Sequence, residues 1–314
     1  MNSTENNTQK DNTGTTPLSN STLILTSLAA GALAGALAKS AIAPFDRCKI
    51  TFQISNEPYS NKAAFQFVKN VVAKDGFLAL WRGNSATMAR ILPYAAIQFT
   101  AHEQWKKLLN INDPKTSYSI SYLKFKRFLA GSLAGVTSQS ITYPLDLARA
   151  RMAVTERDQY PNLTKVIKTT FQKEGIKGLF RGYIPTVLGV IPYAGASFFS
   201  YETLKQWFYD LSGGRKPGTR ERLFFGAMSG ICGQTLSYPL DIVRRRMQTA
   251  VITKNEYPTI LSCLKQIYKK EGFRKGFFKG LSMNWIKGPI AVGISFATYD
   301  RTQELLRECV MKFV

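Results

Sequence analysis

The chain has 314 residues, and its 42 Lys and Arg against 20 Asp and Glu give a formal net charge of +22 at pH 7. This length suits two average domains or one repetitive unit, and the charge favours nucleic acid, anionic lipid or a phosphorylated small molecule as a partner. A single His and four cysteines without CxxC spacing exclude a zinc site and predict free, buried thiols. Since no nucleophile–base set is visible, we predict that the protein is not an enzyme.

The first element in chain order is a polar N-terminal segment, residues 1–22, rich in Asn, Thr and Ser. It cannot bury enough apolar surface to fold, so we predict that it is disordered. It contains no Arg and no apolar run typical of a leader, so neither a signal peptide nor a mitochondrial presequence is expected.

Four long stretches of the chain carry no charge: residues 13–38, 128–145, 183–201 and 223–240. A helix needs roughly 20 residues to cross a bilayer core, so these stretches are candidate membrane spans. Buried helices of a large soluble protein would look similar. Four such stretches in so short a chain favour the membrane.

Two short motifs recur three times in the same order. The first is APFDRCK, YPLDLAR and YPLDIVR, around Pro44, Pro144 and Pro239. The second is DGFLALWRG, EGIKGLFRG and EGFRKGFFKG. Linked motifs at a fixed period indicate a repeat architecture, so we divide the chain into repeats 23–113, 123–213 and 220–312.

Each repeat predicts a long apolar helix, a short amphipathic helix, a glycine-rich turn and a second long helix. The long helices are expected at about 23–54, 84–110, 123–154, 183–212, 220–250 and 281–312. We therefore predict an all-α membrane protein. Its six transmembrane helices would form three pseudo-symmetric two-helix repeats around a central cavity, with three short helices at one end and both termini on the same side.

The first long helix of every repeat contains GxxxG, at Gly31/Gly35, Gly131/Gly135 and Gly226/Gly230. Small residues four apart let helices approach closely in lipid. The three copies therefore predict a packing face between helices.

Each proline is followed by an acid and, three residues later, a base: Asp46 and Lys49, Asp146 and Arg149, Asp241 and Arg244. A proline bends a helix, so we interpret Pro44, Pro144 and Pro239 as kinks. Charges at membrane depth normally face a protein interior. We expect each acid to meet the base of the next repeat, closing one end of the cavity; three purely local pairs are the alternative.

Further polar residues precede the motif prolines and also occur on the second long helices. Lys39 stands alone in an uncharged stretch, and Gln139 and Gln234 occupy the equivalent places, five residues before each proline. On the second helices, Arg90 precedes ILPYAAIQF and Lys287 precedes GPIAVGISF. These basic residues predict a cavity that binds an anion, in particular a phosphate-bearing one.

A second set of acid and polar or basic residues lies further along the second helices, again three residues apart: Glu103 and Lys106, Glu202 and Lys205, Asp300 and Gln303. Two charged rings at opposite ends of a threefold helical barrel describe an alternating-access carrier, in which only one ring is closed at a time. A basic nucleic-acid-binding protein is the alternative from a different functional class. The uncharged helices and symmetric acid–base pairs oppose it, so no nucleic-acid partner is expected.

The triplicated PxDxx[KR] and [DE]G…aromatic-[KR]-G pattern resembles the mitochondrial carrier (solute carrier) family over about residues 23–312. The resemblance implies a functional monomer in the mitochondrial inner membrane with both termini in the intermembrane space. It makes the first ring the matrix gate, with Gln53 and Gln248 as braces, and the second ring the cytosolic gate; Ala153 departs from the brace pattern. No cofactor is implied except bound cardiolipin, at Gly76, Trp81, Arg82, Gly83, Gly175, Phe180, Arg181, Gly182, Gly272, Phe278, Lys279 and Gly280.

Within the family, segments such as WRGNSATM, GVIPYAGASFFSYETLK and KGLSMNWIKGPIAVGISF resemble the members that transport coenzyme A. This resemblance implies import of coenzyme A into the matrix in exchange for adenine nucleotides, ADP and adenosine 3′,5′-diphosphate. Another nucleotide carrier, of the ATP-Mg/phosphate type, is the alternative. The candidate substrate-binding residues are Lys39, Arg90, Gln98, Gln139, Gly189, Val190, Tyr193, Gln234 and Lys287.

Overall fold

The computed structural model describes residues 20–111 and 119–313, and within these ranges the regular structure is entirely helical. The N-terminal tail predicted over residues 1–22 falls mostly outside the described residues, which begin with the first helix at Asn20. The rest of the chain follows the predicted order of three repeats.

The first repeat contains α1 (Asn20–Ile54), α2 (Asn61–Asp75), a 3₁₀ turn (Phe77–Trp81) and α3 (Asn84–Leu108). The second contains α4 (Ile120–Ile141), α5 (Tyr143–Val154), α6 (Leu163–Leu179) and α7 (Tyr183–Leu211). The third contains α8 (Thr219–Thr249), α9 (Ile260–Glu271), α10 (Phe273–Phe277) and α11 (Leu281–Phe313).

The three motif prolines do not act alike. The helices α1 and α8 continue through Pro44 and Pro239. In the second repeat the helix breaks at Thr142, and Pro144 lies in the first turn of α5. Since proline has no amide hydrogen to donate backwards, a new first turn is a position where it costs least. The single helix predicted over residues 123–154 is therefore wrong: two helices cover this range.

The short helices begin at polar caps that the sequence supplies in every repeat. Ser60, Asn162 and Thr259 each accept a hydrogen bond from the amide three residues later, at 2.8–3.1 Å. Such caps satisfy one of the free amides at a helix start. Val166 of α6 and Ile267 of α9 are fully buried against the long helices. The short helices therefore close one end of the bundle.

The glycine that ends each second motif fixes how one repeat meets the next. Gly83, Gly182 and Gly280 have φ of 86°, 80° and 77°. A Cβ at Gly83 or Gly182 would lie 3.0 Å from the carbonyl oxygen of Arg149 or Arg244, which belong to the next repeat. The turn thus needs both the left-handed backbone and the missing side chain.

We expect Gly182→Ala to destabilise the protein by about 2–4 kcal/mol, because the left-handed conformation and the close carbonyl both oppose a Cβ. Gly213→Ala is the matched control: its φ is 67°, but a Cβ there would meet nothing within 4 Å. Strain alone should cost about 1–2 kcal/mol at that position. Thermal unfolding of the purified proteins gives the comparison, and equal losses for the two variants would contradict the close contact.

Only two of the six GxxxG glycines lie against another helix: a Cβ at Gly31 would be 3.8 Å from Tyr299, and one at Gly131 would be 4.0 Å from His102. A Cβ added at Gly35, Gly135, Gly226 or Gly230 would meet nothing within 4 Å. The close approach between α7 and α8 occurs instead at Gly233, where a Cβ would lie 2.8 Å from the Tyr193 carbonyl oxygen. The predicted packing face is therefore wrong at these four glycines, which have open space beside them in this conformation.

Judged by length and mean hydropathy, no single helix among the described residues qualifies as a membrane span. One bent pair does qualify, Leu163–Leu179 with Tyr183–Leu211, which meet at 47°.

The four cysteines are free, but only half of them are buried. Cys48 and Cys263 are buried, whereas Cys232 and Cys309 are exposed, so the prediction of buried thiols is wrong for the latter two. Burial raises the pKa of the Cys263 thiol to about 12. This thiol therefore stays protonated and unreactive at neutral pH.

Candidate functional site

Six charged residues, an acid and a base from each repeat, meet at one end of the bundle and form what we call the first ring. Lys49 Nζ lies 2.8 Å from Asp241 Oδ2, Arg244 Nη2 lies 2.5 Å from Asp146 Oδ2, and Arg149 Nη2 binds Asp46 Oδ2. Each pair joins helices of neighbouring repeats. The predicted pairing between repeats is therefore confirmed, and the alternative of purely local pairs is wrong.

Two of the three pairs are supported by a glutamine and a tyrosine. Gln248 Nε2 donates to Asp146 Oδ2 at 2.8 Å and to the Tyr143 hydroxyl at 3.0 Å. Gln53 Nε2 lies 3.3 Å from Asp241 Oδ2 and 3.2 Å from the Tyr238 hydroxyl. The tyrosines were not assigned from the sequence, although each stands directly before a motif proline.

These tyrosine hydroxyls also connect the ring to the glycine turns. Tyr143 donates to the carbonyl of Arg181 at 2.8 Å, and Tyr238 donates to the carbonyl of Lys279 at 2.6 Å. Both tyrosines are almost fully buried. A buried hydroxyl that both donates and accepts positions the glutamine under its ion pair.

A further layer of buried arginines, which was not predicted from the sequence, joins neighbouring repeats. Three arginines donate from Nε to the carbonyl nine residues after the next repeat's proline: Arg47, Arg151 and Arg246, at 3.2, 3.1 and 3.0 Å. They also pair with the acid of their own glycine turn: Asp75 at 3.9 Å, Glu174 and Glu271. Arg47 lies three residues after its proline instead of seven, where this chain has Thr51.

A cavity of about 1050 Å³ lies above the first ring, and all six long helical stretches contribute to it. Seven of the nine candidate substrate residues line it: Lys39, Gln139, Gly189, Val190, Tyr193, Gln234 and Lys287. The three polar residues that stand five before each motif proline thus line one cavity. Gln139 Nε2 and Gln234 Oε1 are buried without a hydrogen-bond partner among the described residues.

The other two candidates are placed differently. Arg90 is turned onto the ring, with Nη2 2.5 Å from Gln139 Oε1 and Nη1 3.5 Å from Asp146 Oδ1. Its guanidinium also stacks on Tyr94, 4.6 Å from the ring centroid. Gln98 is exposed one turn beyond Tyr94 and does not line the cavity.

The cavity is strongly cationic. Its charged lining residues are six cations and one acid: Lys39, Lys49, Arg127, Arg244, Arg245, Lys287 and Asp241. Arg127 and Arg245 were not assigned from the sequence. Arg245 Nη1 donates to Gln248 Oε1 at 2.8 Å, at the floor of the cavity. Within the described part of the chain, the side chains of Lys39 and Arg127 make no hydrogen bond or ion pair.

Two cations reach the first ring from the second helices of the repeats. Lys287 Nζ lies 2.6 Å from Asp46 Oδ1, and Arg90 contacts Asp146. Together with Arg245, which lies 3.5 Å from Asp146 Oδ2, they surround the ring carboxylates with more bases than the three pairs alone require. Asp146 is 98% buried, so its charge depends on these partners.

The second ring is not joined in this conformation. Lys106 binds Glu103 at 2.7 Å and Lys205 binds Glu202 at 3.3 Å, each pair within one helix. Gln303 donates to Ser27 at 2.8 Å, outside the ring. Among the residues the structure describes, no ring member pairs with a ring member of another helix. The cavity is therefore closed by ion pairs at the first ring alone.

The basic residues of the glycine turns, expected at lipid sites, contact the protein. Arg82 Nη2 donates to the Tyr160 carbonyl at 3.1 Å, and Lys279 Nζ donates to the Ser55 carbonyl at 2.9 Å. Arg181 lies 3.6 Å from Glu174. Trp81 Nε1 donates to the Ser40 carbonyl at 2.7 Å. These side chains join repeats or elements.

Comparison with known proteins matches this architecture. The model of the family described as mitochondrial carrier protein matches residues 20–113, 123–212 and 215–309. The chain is 55% identical over 293 residues to the mitochondrial coenzyme A transporter SLC25A42 of Xenopus laevis, covering 91% of this chain and 86% of that protein. Identity to the Homo sapiens protein of that name is 54% over 292 residues, covering 90% and 89%. Solute carrier family 25 member 16 of Homo sapiens is 38% identical over 293 residues, covering 88% and 86%.

The three matched segments follow the three repeats, and together they take in nearly all of the described chain. The fold is that of an all-α membrane protein whose six spans come from three two-helix repeats around a central cavity, as the sequence predicted. On the geometry and on these matches, the chain belongs to the mitochondrial carrier protein family.

Proposed function

We propose that the protein imports coenzyme A across the mitochondrial inner membrane in exchange for adenine nucleotides, ADP and adenosine 3′,5′-diphosphate, by alternating access. It is a transporter, with no chemical step. Its first ring is the matrix gate, its second ring the cytosolic gate, and its termini face the intermembrane space. It acts as a monomer.

The observation that carries this proposal is the cationic cavity closed at one end only. A phosphate-bearing solute that enters from the open end meets six cations and then the paired first ring. Substrate binding must offset the loss of the ring pairs before the matrix end opens, since a ligand shifts an equilibrium only by its differential affinity. The free-energy cost of breaking these ion pairs also keeps the matrix end closed while the cavity is empty, so the carrier is not open at both ends at once.

Coenzyme A fits this cavity chemically. It carries a 3′-phosphate, a pyrophosphate and a long neutral arm, which require several cations and an apolar wall. Lys39 has no ion pair among the described residues and can take a phosphate without breaking one. Gly189 and Val190 of α7 offer a flat apolar surface for the adenine. The relatives named as coenzyme A transporters support this choice over other phosphorylated solutes.

Cardiolipin is the proposed lipid partner. Its phosphates would lie at the helix starts behind the glycine turns, where the helix dipole favours an anion. The basic side chains of these turns are engaged by the protein, so in this proposal they shape the site without binding the lipid directly.

The substrate is tested by exchange in liposomes that contain the purified protein and internal ADP. We expect uptake of labelled coenzyme A, and weaker uptake of labelled dephospho-coenzyme A, which lacks the 3′-phosphate. A lost charge-assisted contact of about 1.5–3 kcal/mol corresponds to an affinity about 10- to 100-fold lower. Equal uptake of the two would exclude recognition of the 3′-phosphate.

A further inference from the structure

We propose that Lys287 is a latch: in the empty protein it braces the ion pair between Asp46 and Arg149, and it releases that pair when its ammonium group moves to a substrate phosphate. The joint between the first and second repeats would then be the first part of the ring to open. Lys287 would thus act both as a substrate contact and as a positioning residue for the gate.

The first observation is an asymmetry in the ring. The pairs Lys49–Asp241 and Arg244–Asp146 each have a glutamine and a tyrosine hydroxyl beneath them. At the third pair the equivalent glutamine position is Ala153 and the equivalent tyrosine position is Ala43. Both alanines are buried, and neither has a side chain that can reach Asp46. This joint therefore lacks the support that the other two have.

The second observation is the contact that replaces the missing support. Arg149 occupies Oδ2 of Asp46, and Lys287 Nζ lies 2.6 Å from Oδ1 of the same carboxylate. The carboxylate is 91% buried, so a second donor stabilises its charge strongly. Lys287 belongs to α11 of the third repeat, so this one carboxylate joins all three repeats.

The third observation is the direction from which the support comes. Gln53 and Gln248 are buried with almost no accessible surface, where no solute in the cavity can reach them. Lys287 lines the cavity and is 22% exposed. An anion in the cavity therefore competes with Asp46 for Lys287 and cannot compete for the glutamines. Arg90 could also move to a substrate, but the effect on the ring would be smaller, because Asp146 would retain its hydrogen bonds from Gln248 and Arg244.

The test begins with the empty protein purified in detergent, where no substrate is involved. Lys287→Met should lower the thermal midpoint by about 3 °C or more, since a buried carboxylate loses one of two bases. The matched control is Lys39→Met, which removes another cavity lysine that has no ion pair among the described residues. It should change the midpoint by less than about 1 °C. Equal shifts for the two variants would overturn the proposal.

The second arm supplies the missing brace. In Ala43→Tyr with Ala153→Gln, the third joint gains the pair of groups that the other joints have, so Lys287→Met should cost less than half of its original shift. An unreduced shift would overturn the proposal. Should the added tyrosine prevent folding, Ala153→Gln alone and a cycle of Lys287→Met with Asp46→Asn replace it. Independent, additive shifts in that cycle would contradict the coupling.

The final arm measures exchange and rests on the proposed function. Ala153→Gln should lower the maximal rate severalfold with little change in KM, because its brace does not yield to substrate. Lys287→Met should raise KM for coenzyme A. If coenzyme A is not carried but the unfolding shifts appear as expected, the latch stands and the substrate is wrong. If exchange is normal in Ala153→Gln and the unfolding shifts are absent, the latch is wrong.

Discussion

Replacing Asp146 by Ala is expected to reduce exchange by about 100-fold or more. Its carboxylate is 98% buried and contacts Arg90, Arg244 and Arg245, so its loss leaves three cations together without their common partner. Removing one partner of a buried pair costs about 3–5 kcal/mol. That cost falls on the conformation closed at the first ring, and every 1.4 kcal/mol changes a population tenfold.

The matched control for this variant is Asp210→Ala. Asp210 is exposed near the end of α7, where it accepts a hydrogen bond from Gln206 at 3.0 Å. Its loss should leave exchange within about twofold, since exposed polar contacts contribute little. Exchange rates in liposomes with equal amounts of inserted protein provide the comparison. Near-normal exchange by Asp146→Ala would show that the first ring is not a gate.

The largest effect on stability is expected for Arg246→Ala, a loss of about 3–5 kcal/mol in the free energy of unfolding. Arg246 is 98% buried, pairs with the buried Glu271 and donates to the carbonyls of Gln53 and Ser55 at 3.0 and 3.3 Å. Its removal leaves two carbonyls without this donor and Glu271 with Lys279 as its remaining base. The third repeat would then hold the first less firmly.

Arg301→Ala is the control for Arg246. Arg301 pairs with Glu304 at 3.2 Å on α11, with both side chains more than half exposed. Such a pair contributes about 0–1 kcal/mol. Thermal unfolding of both variants in the same detergent gives the two values. Similar midpoints would show that the arginine layer between repeats is not what holds them together.

The triplicated motifs were enough to predict which residues meet in the ring. Pro44, Pro144 and Pro239 stand at one place in three repeats, so a threefold arrangement brings Asp46 to Arg149 although they are far apart in the chain. The predicted bounds of the long helices lie within a few residues of the observed ones, except for the helix predicted over 123–154 in the second repeat. There the break at Thr142 depends on local packing that helical periodicity does not report.

The contacts that compensate for departures from symmetry were not predicted from the sequence. Arg47 takes the place that Arg151 and Arg246 have in their repeats, from a different position in the motif. Lys287 reaches Asp46 because α11 happens to face a joint without a glutamine. Pattern matching finds what repeats, whereas these contacts compensate for what does not repeat. They can be identified only when the side chains are placed in three dimensions.

The GxxxG stretches and the basic residues of the glycine turns show a second limit. A small residue at four-residue spacing permits close packing of helices, but Gly135 and Gly230 have open space beside them in the observed conformation. Arg82 has the right charge for a lipid phosphate, yet it donates to carbonyls of the second repeat. The residue type limits which contacts a position can make, and the neighbouring residues in the fold determine which of these contacts forms.

The measurement that tests the exchange mechanism most directly compares two sets of liposomes that contain the protein, one loaded with ADP and one empty. Labelled coenzyme A is added outside both. Alternating access with a closed empty ring predicts rapid uptake into the ADP-loaded liposomes and little uptake into the empty ones. If neither set takes up coenzyme A while ATP exchanges rapidly for phosphate, the proposed coenzyme A exchange is contradicted. So would equal uptake into the loaded and the empty liposomes.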